Sequence, residues 1–161
     1  MWVYKKNHNG IANASYSELL AYLDLYINFK LKVIDARSIG LDADTAYKAE
    51  INGYENALKA QKKTSPKNSE YTYIMNEYRE GVLMFNVSER KIWSKAWDNE
   101  SKLREFYSEN ASTYGNKDFD EVRGQVIADY QQQLEKEWIK LLRTKYTVKI
   151  NDDELRKLAK L

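Results

Sequence analysis

The stretch from Glu70 to Ala96, EYTYIMNEYREGVLMFNVSERKIWSKA, constrains the fold more than any other part of the chain. Its apolar residues Tyr71, Met75, Tyr78, Val82, Phe85, Ile92 and Ala96 advance by helical steps along one stripe, with a single miss at Glu89. Ile74, Leu83, Met84 and Trp93 widen that stripe beyond a two-stranded seam, which predicts a central core helix with several neighbours. Gly81 interrupts it. Glycine inside a helix costs about 1 kcal/mol relative to alanine, and its usual compensation is the close approach of another backbone. A crossing partner is therefore predicted near Gly81.

The other segments read as helices around this one. Ser15 and Glu18 have capping-box spacing at the start of a helix that runs to Ile39 and stops at Gly40, where a left-handed residue suits the last turn. Leu20, Leu23, Ile27, Leu31 and Ile34 form one apolar stripe of that helix, and Leu25, Phe29 and Val33 form another. Asp24, Asn28 and Asp35 leave only a narrow polar face. Such a helix is either buried between layers or holds an apolar surface for a partner, with burial the favoured reading. Asp42 to Gln61 reads as a helix capped near Asp42 or Asp44, with Tyr47, Ile51, Tyr54 and Leu58 on one face.

Residues 62–69 hold the only proline, Pro66, and form the clearest junction. After the central helix, Asp98 or Asn99 can cap a short helix through Leu103, Phe106 and Tyr107, and a loop spans Asn110 to Asn116. Asp118 and Glu121 repeat the capping-box spacing before a long helix with Phe119, Val122, Val126, Tyr130, Leu134, Trp138 and Leu141 on one side. Tyr146 to Ile150 alternates like a short strand, and Asn151 to Glu154 opens a final helix. Trp2 to Asn9 reads as a short helix or strand, and its Trp2 to Lys6 part is the only partner in the sequence for a strand at 146–150. The expectation is an all-α domain of five to six helices, with one short C-terminal strand or hairpin at most.

Composition excludes several function classes. With 26 basic and 24 acidic residues mixed along 161 positions, no charge run is long enough to track a phosphate backbone, so nucleic acid is not expected as a partner. Cysteine is absent, which removes disulfides and thiolate chemistry. No apolar run approaches the roughly 18 residues of a membrane span. The single histidine, His8, sits in a polar turn without a second ligand, so no metal or cofactor is expected. Carboxylates fall mostly at caps and outer faces, and no phosphate loop or nucleophile motif is present, so the chain does not read as an enzyme. Thirteen tyrosines, four tryptophans and four phenylalanines are its distinctive feature. At helical spacing most rings fill cores; those left facing a groove are suited to varied apolar partners.

Three segments, LDLYINFKLKVIDARSIGLD, YIMNEYREGVLMFNVSERKIWSKA and DEVRGQVIADYQQQLEKEWIKLLRTKYTVKIN, resemble the helical chaperone core of SurA-like, parvulin-type (PpiC-like) peptidyl-prolyl isomerases. These are periplasmic proteins that escort outer-membrane polypeptides. The resemblance implies one core built from an N-terminal part, 1–61, and a C-terminal part, 70–161. In the family, parvulin domains are inserted where residues 62–69 stand here. Gln61 instead leads through that junction into the central helix, with no His-Ile-Leu strand and no Gly-Gly-Asp-Leu-Gly stretch, so isomerase activity is not expected. The family usually has a further strand-forming segment before the position of Trp2, so by the resemblance the chain looks trimmed there, and Met1 to Lys6 lacks the charged start and apolar middle of a signal peptide.

The implied function is a periplasmic holdase that binds extended, aromatic-rich segments of unfolded outer-membrane proteins. The alternative is a non-catalytic structural or interaction module. Candidate peptide-binding residues are Tyr22, Phe29, Tyr78, Met84, Phe85, Trp93 and Trp97, with Met75 a further adaptable side chain. Eight junction residues reach at most roughly 26–29 Å, so a monomer is expected and a domain-swapped dimer is the alternative.

Overall fold

A computed structural model describes residues 2–8, 14–60 and 69–159, and all regular structure among them is helical. Helix α1 covers Trp2–Asn7, α2 Tyr16–Ser38, α3 Thr45–Ala60 and α4 Ser69–Ser88. A π-helical turn, Glu89–Trp93, continues α4 into α5, Ser94–Asp98. Then follow α6, Glu100–Asn110, α7, Phe119–Lys145, and α8, Asp152–Ala159. The junction at 62–69, with its hinge, lies outside the described residues except for Ser69.

Local chemistry sets most boundaries. The Ser15 hydroxyl accepts from the Glu18 backbone amide, and the Glu18 carboxylate accepts from the Ser15 amide at 2.7 Å, which completes the capping box. Ser15→Ala is expected to lower stability by about 1 kcal/mol, measurable by urea denaturation. Gly40 closes α2 at φ +78°, a conformation that favours glycine. Asp44, rather than Asp42, caps α3 by accepting from Ala46 and Tyr47, and Asn99 caps α6 by accepting from Lys102. The predicted capping box at Asp118 does not form: Asp118 occupies the cap position without a side-chain bond, and its carbonyl accepts from Glu121.

The predicted strand is also corrected. Residues 147–150 carry no regular structure, and Trp2–Asn7 is helical, so the one segment that could have paired with them is unavailable for a ladder.

The miss at Glu89 has a structural cause. Val87 and Ile92 are both buried in the main core although five residues apart, a spacing that an α-helix would rotate off the face. The π turn accommodates the extra residue and returns Ile92 and Ala96 to the interior.

The main core joins Leu31, Val33 and Ala36 of α2 and Tyr47 and Ile51 of α3 to Met75, Leu83 and Val87 of α4 and Trp138 and Leu142 of α7. Residues before and after the junction thus share one interior. A second cluster packs α6 on the N-terminal half of α7 through Leu103, Phe106, Tyr114, Phe119 and Val126. Helix α7 serves both because its apolar residues from Val122 to Trp138 recur every four positions. Each such step overshoots a turn by about 40°, so the face swings by roughly 200° between Val122 and Leu142. For the same reason Leu142 is buried where Leu141 was predicted; Leu141 is exposed. A third, smaller cluster holds α1 and α8 on the start of α2 through Tyr4, Ala14, Leu19 and Leu155.

Polar contacts repeat the connection between the two parts. Asp35, predicted on an outer face, is 3% exposed. Lys91 of the π turn donates to its carboxylate, the Trp138 indole N–H donates at 3.1 Å, and Lys145 lies 3.7 Å away. Arg143 of α7 donates to Asp24 and Asn28 of α2 at 2.6 Å, and the Tyr71 hydroxyl donates to Glu55 of α3 at 2.7 Å.

Candidate functional site

Gly81 contradicts the close-crossing expectation. Helices α2 and α4 do pack together, and Lys30 of α2 donates to Glu80 of α4, but a Cβ on Gly81 would meet nothing within 4 Å. The glycine faces open space because it forms part of the wall of two neighbouring depressions.

The first depression, about 570 Å³, lies between α2 and α4 and is lined by Tyr22, Leu25, Tyr26, Phe29, Tyr73 and Gly81 among others. The second, about 560 Å³, lies between α3 and α4, with Tyr54, Ile74, Tyr78, Val82 and Phe85 in its lining. They share Glu77 and Gly81. A third, about 410 Å³, shares Val3, Tyr22, Tyr26 and Tyr73 with the first and ends at Leu155 and Leu158 of α8. The shared walls make a contiguous, ring-lined surface across α4, crossing where Gly81 lacks a side chain.

Helical repeat creates this surface. Tyr22, Tyr26 and Phe29 stand at i, i+4 and i+7 on α2, with Leu25 beside them, and Tyr73, Glu77 and Gly81 stand four apart on α4. Leu25 is 68% exposed and Phe85 52%, large values for apolar side chains that have neighbours to pack against. The rings hold each other in place. Tyr54 stacks on Tyr78 at 3.6 Å, Tyr26 on Phe29 at 6.0 Å, and Phe85 meets the edge of Trp93 at 4.9 Å. The first depression also carries charge in its lining, where Lys30 and Arg37 pair with Glu80 at 2.5 and 3.5 Å. Burial pushes the Tyr22 phenol above its ordinary value; burial and a hydrogen bond to Glu50 do the same for Tyr78. A phenol is neutral at pH 7 in any case, and these shifts extend that further into alkali.

Of the residues singled out from sequence, Tyr22, Phe29, Tyr78 and Phe85 line these depressions. Trp93 is half-buried against the main core and reaches the surface through Phe85. Met84 packs on the core and accepts from the Ser88 hydroxyl, and Met75 is fully buried. Trp97 is 62% exposed on α5 beneath the Arg123 guanidinium, away from the depressions. Tyr26, Tyr54 and Tyr73 line them too, as tyrosines suited to a groove though not named individually, and apolar lining residues not foreseen include Leu25 and Ile74. Leu25 carried a signal, since it belonged to the second α2 stripe and had no core role left once that helix met its neighbours.

Among the described residues, no group of three or more His, Asp or Glu side chains is placed to hold a metal ion. No described helix is long and apolar enough to cross a membrane. Comparison with protein-family models, with curated proteins and with solved structures found no match to the chain.

Proposed function

We propose that the chain is a holdase-type chaperone core that binds extended apolar and aromatic segments of unfolded polypeptides, outer-membrane proteins in the periplasm being the clients its SurA-like segments imply. The observation that carries this reading is the contiguous ring-lined surface crossing α4 at Gly81, with Leu25 and Phe85 exposed within it. Exposed apolar area of this kind marks a place where another apolar chain docks. Its rings are adaptable and accept many sequences, and Lys30, Arg37, Arg79 and Glu80 add charged groups to the lining of the first depression. Capture needs no nucleotide or metal, only transfer of apolar side chains from water to the groove.

The test is aggregation of a chemically unfolded outer-membrane protein diluted from urea. A stoichiometric excess of the chain is expected to delay light scattering several-fold, and a dye for exposed apolar surface is expected to brighten on the chain alone. If scattering is unchanged and the dye stays dark, the chain is a structural module whose rings serve only its own packing. The same reading includes no prolyl isomerase activity, so cis/trans exchange of a proline-containing peptide should proceed at its uncatalysed rate. It also takes the chain as a monomer, which light scattering from purified protein decides against a swapped dimer.

A further inference from the structure

We propose that α1 is an intramolecular occupant of one end of this groove, an internal stand-in for a client segment that an incoming polypeptide displaces. The inference rests on the chaperone reading. Its starting point is the small cluster at the start of α2. Tyr4 of α1 is buried there against Leu19 and Leu155, its ring meeting the edge of Tyr22 at 5.0 Å. An aromatic side chain on an apolar floor beside Tyr22 is the same kind of contact that a client ring would make.

The other described contacts of α1 and the adjoining His8 are few. The Asn7 amide donates to the Tyr22 hydroxyl at 2.9 Å, and His8 stacks on Tyr4 at 4.0 Å while donating through Nδ1 to the Tyr4 carbonyl. The first of these is exposed, so water replaces it readily when α1 lifts. The stacking and the hydrogen bond of His8 stay within the segment and leave with it, while the edge contact of its ring on Tyr22 at 5.7 Å is broken along with that of Tyr4. A helix of six residues has little stability of its own and stays formed through what it packs on. Val3 lines both the first and the third depressions, and Tyr4 lines the third. Departure of α1 therefore joins the floor formed by Leu19, Tyr22, Leu23, Leu155 and Leu158 to the groove already open beyond Tyr26 and Tyr73. Main-core residues are untouched by this movement, so opening is local rather than global.

Hydrogen exchange on the full chain tests the proposal, with reduced, carboxymethylated lactalbumin as a permanently unfolded probe. At saturating probe the amides of α1 should exchange at least ten-fold faster than in the free chain, while those of α4 near Leu83 do not accelerate. Unchanged or slower exchange of α1 would make it a fixed wall and overturn the proposal. Tyr4→Ala should bind the probe several-fold more tightly than the unaltered chain, and Asn7→Ala should shift affinity in the same direction by less. Weaker binding in Tyr4→Ala, with circular dichroism showing the helices intact, would also overturn it. Should Tyr4→Ala unfold, Asn7→Ala alone decides by the same sign. If neither the parent chain nor the variants bind the probe, the chaperone reading falls. Emission of the apolar dye then decides the occupancy of the groove end: brighter in the variants if α1 covers it, equal if it does not.

Discussion

Asp35→Ala is expected to lower the stability of the chain by about 3 kcal/mol, near the lower end of what breaking a buried ion pair costs. The carboxylate is almost fully enclosed and accepts from Lys91 of the π turn, from Trp138 of α7 and, at 3.5 Å, from the Ser38 hydroxyl, with the Lys145 charge of α7 at 3.7 Å. Removing it leaves the Trp138 N–H buried without its acceptor, a loss of about 1–3 kcal/mol by itself. It also strands Lys91 and Lys145. Their side chains keep 32% and 52% exposure and so can turn to water, which holds the total at the lower end. For a chain of this size the melting midpoint should fall by roughly 6–12 °C. A fall of under about 2 °C, followed by circular dichroism, would show that the network is incidental to the joint between α2 and α7.

The same carboxylate makes stability depend on pH. Burial alone would push Asp35 up, but the hydrogen bonds from Lys91 and Trp138 and the positive charges of Lys91 and Lys145 outweigh it and hold the group below its ordinary value. A depressed folded value means that the unfolded chain binds the proton more readily, so this contribution is complete above the unfolded value of about 3.9 and is lost as pH falls through the folded one. The parent chain should therefore lose part of its advantage over Asp35→Ala below about pH 4. An advantage that stays constant from pH 6 to pH 2 would remove the carboxylate's charge from the account.

Helix positions were legible because they are local properties. The Ser15–Glu18 box, the Gly40 stop and the Asn99 cap need only residues within one turn, and the structure places them where the sequence does. Apart from the Asp118–Glu121 box, where the cap carbonyl takes the bond instead of the side chain, what failed depended on partners distant in sequence. Asp35 reads as polar surface until Lys91 and Trp138, 56 and 103 positions away, arrive to satisfy it. Tyr146 to Ile150 alternates like a strand, yet a strand exists only with a ladder, and the lone candidate for its partner becomes helix α1. The groove was half legible. Tyr22 and Phe29 were among the candidates and do line it, but which rings stay outside depends on how α4 crosses α2, and no periodicity contains that angle. Met84 and Trp97 show the limit, since both share the composition of the groove and neither lines it.

Gly81 is where a local rule and the tertiary structure part company, and its substitution has the largest expected effect on binding. A leucine there should stabilise the free chain by about 0.5–1 kcal/mol, because a glycine in mid-helix is replaced by a good helix former at a position where the new Cβ meets nothing within 4 Å. The same side chain projects into the passage shared by the two larger depressions and divides the surface at its middle. An extended client could then occupy either side but not both, and loss of simultaneous contact should weaken it at least ten-fold, about 1.4 kcal/mol. Gly81→Ala separates the two effects. Its single methyl gives most of the helix stabilisation and little obstruction, so it should raise the melting midpoint while leaving probe affinity within about two-fold. Titration of fluorescently labelled, carboxymethylated lactalbumin into the parent chain and the two variants measures both. A leucine variant that melts higher and binds as tightly as the parent would place the client elsewhere; one that melts lower would return Gly81 to a helix crossing.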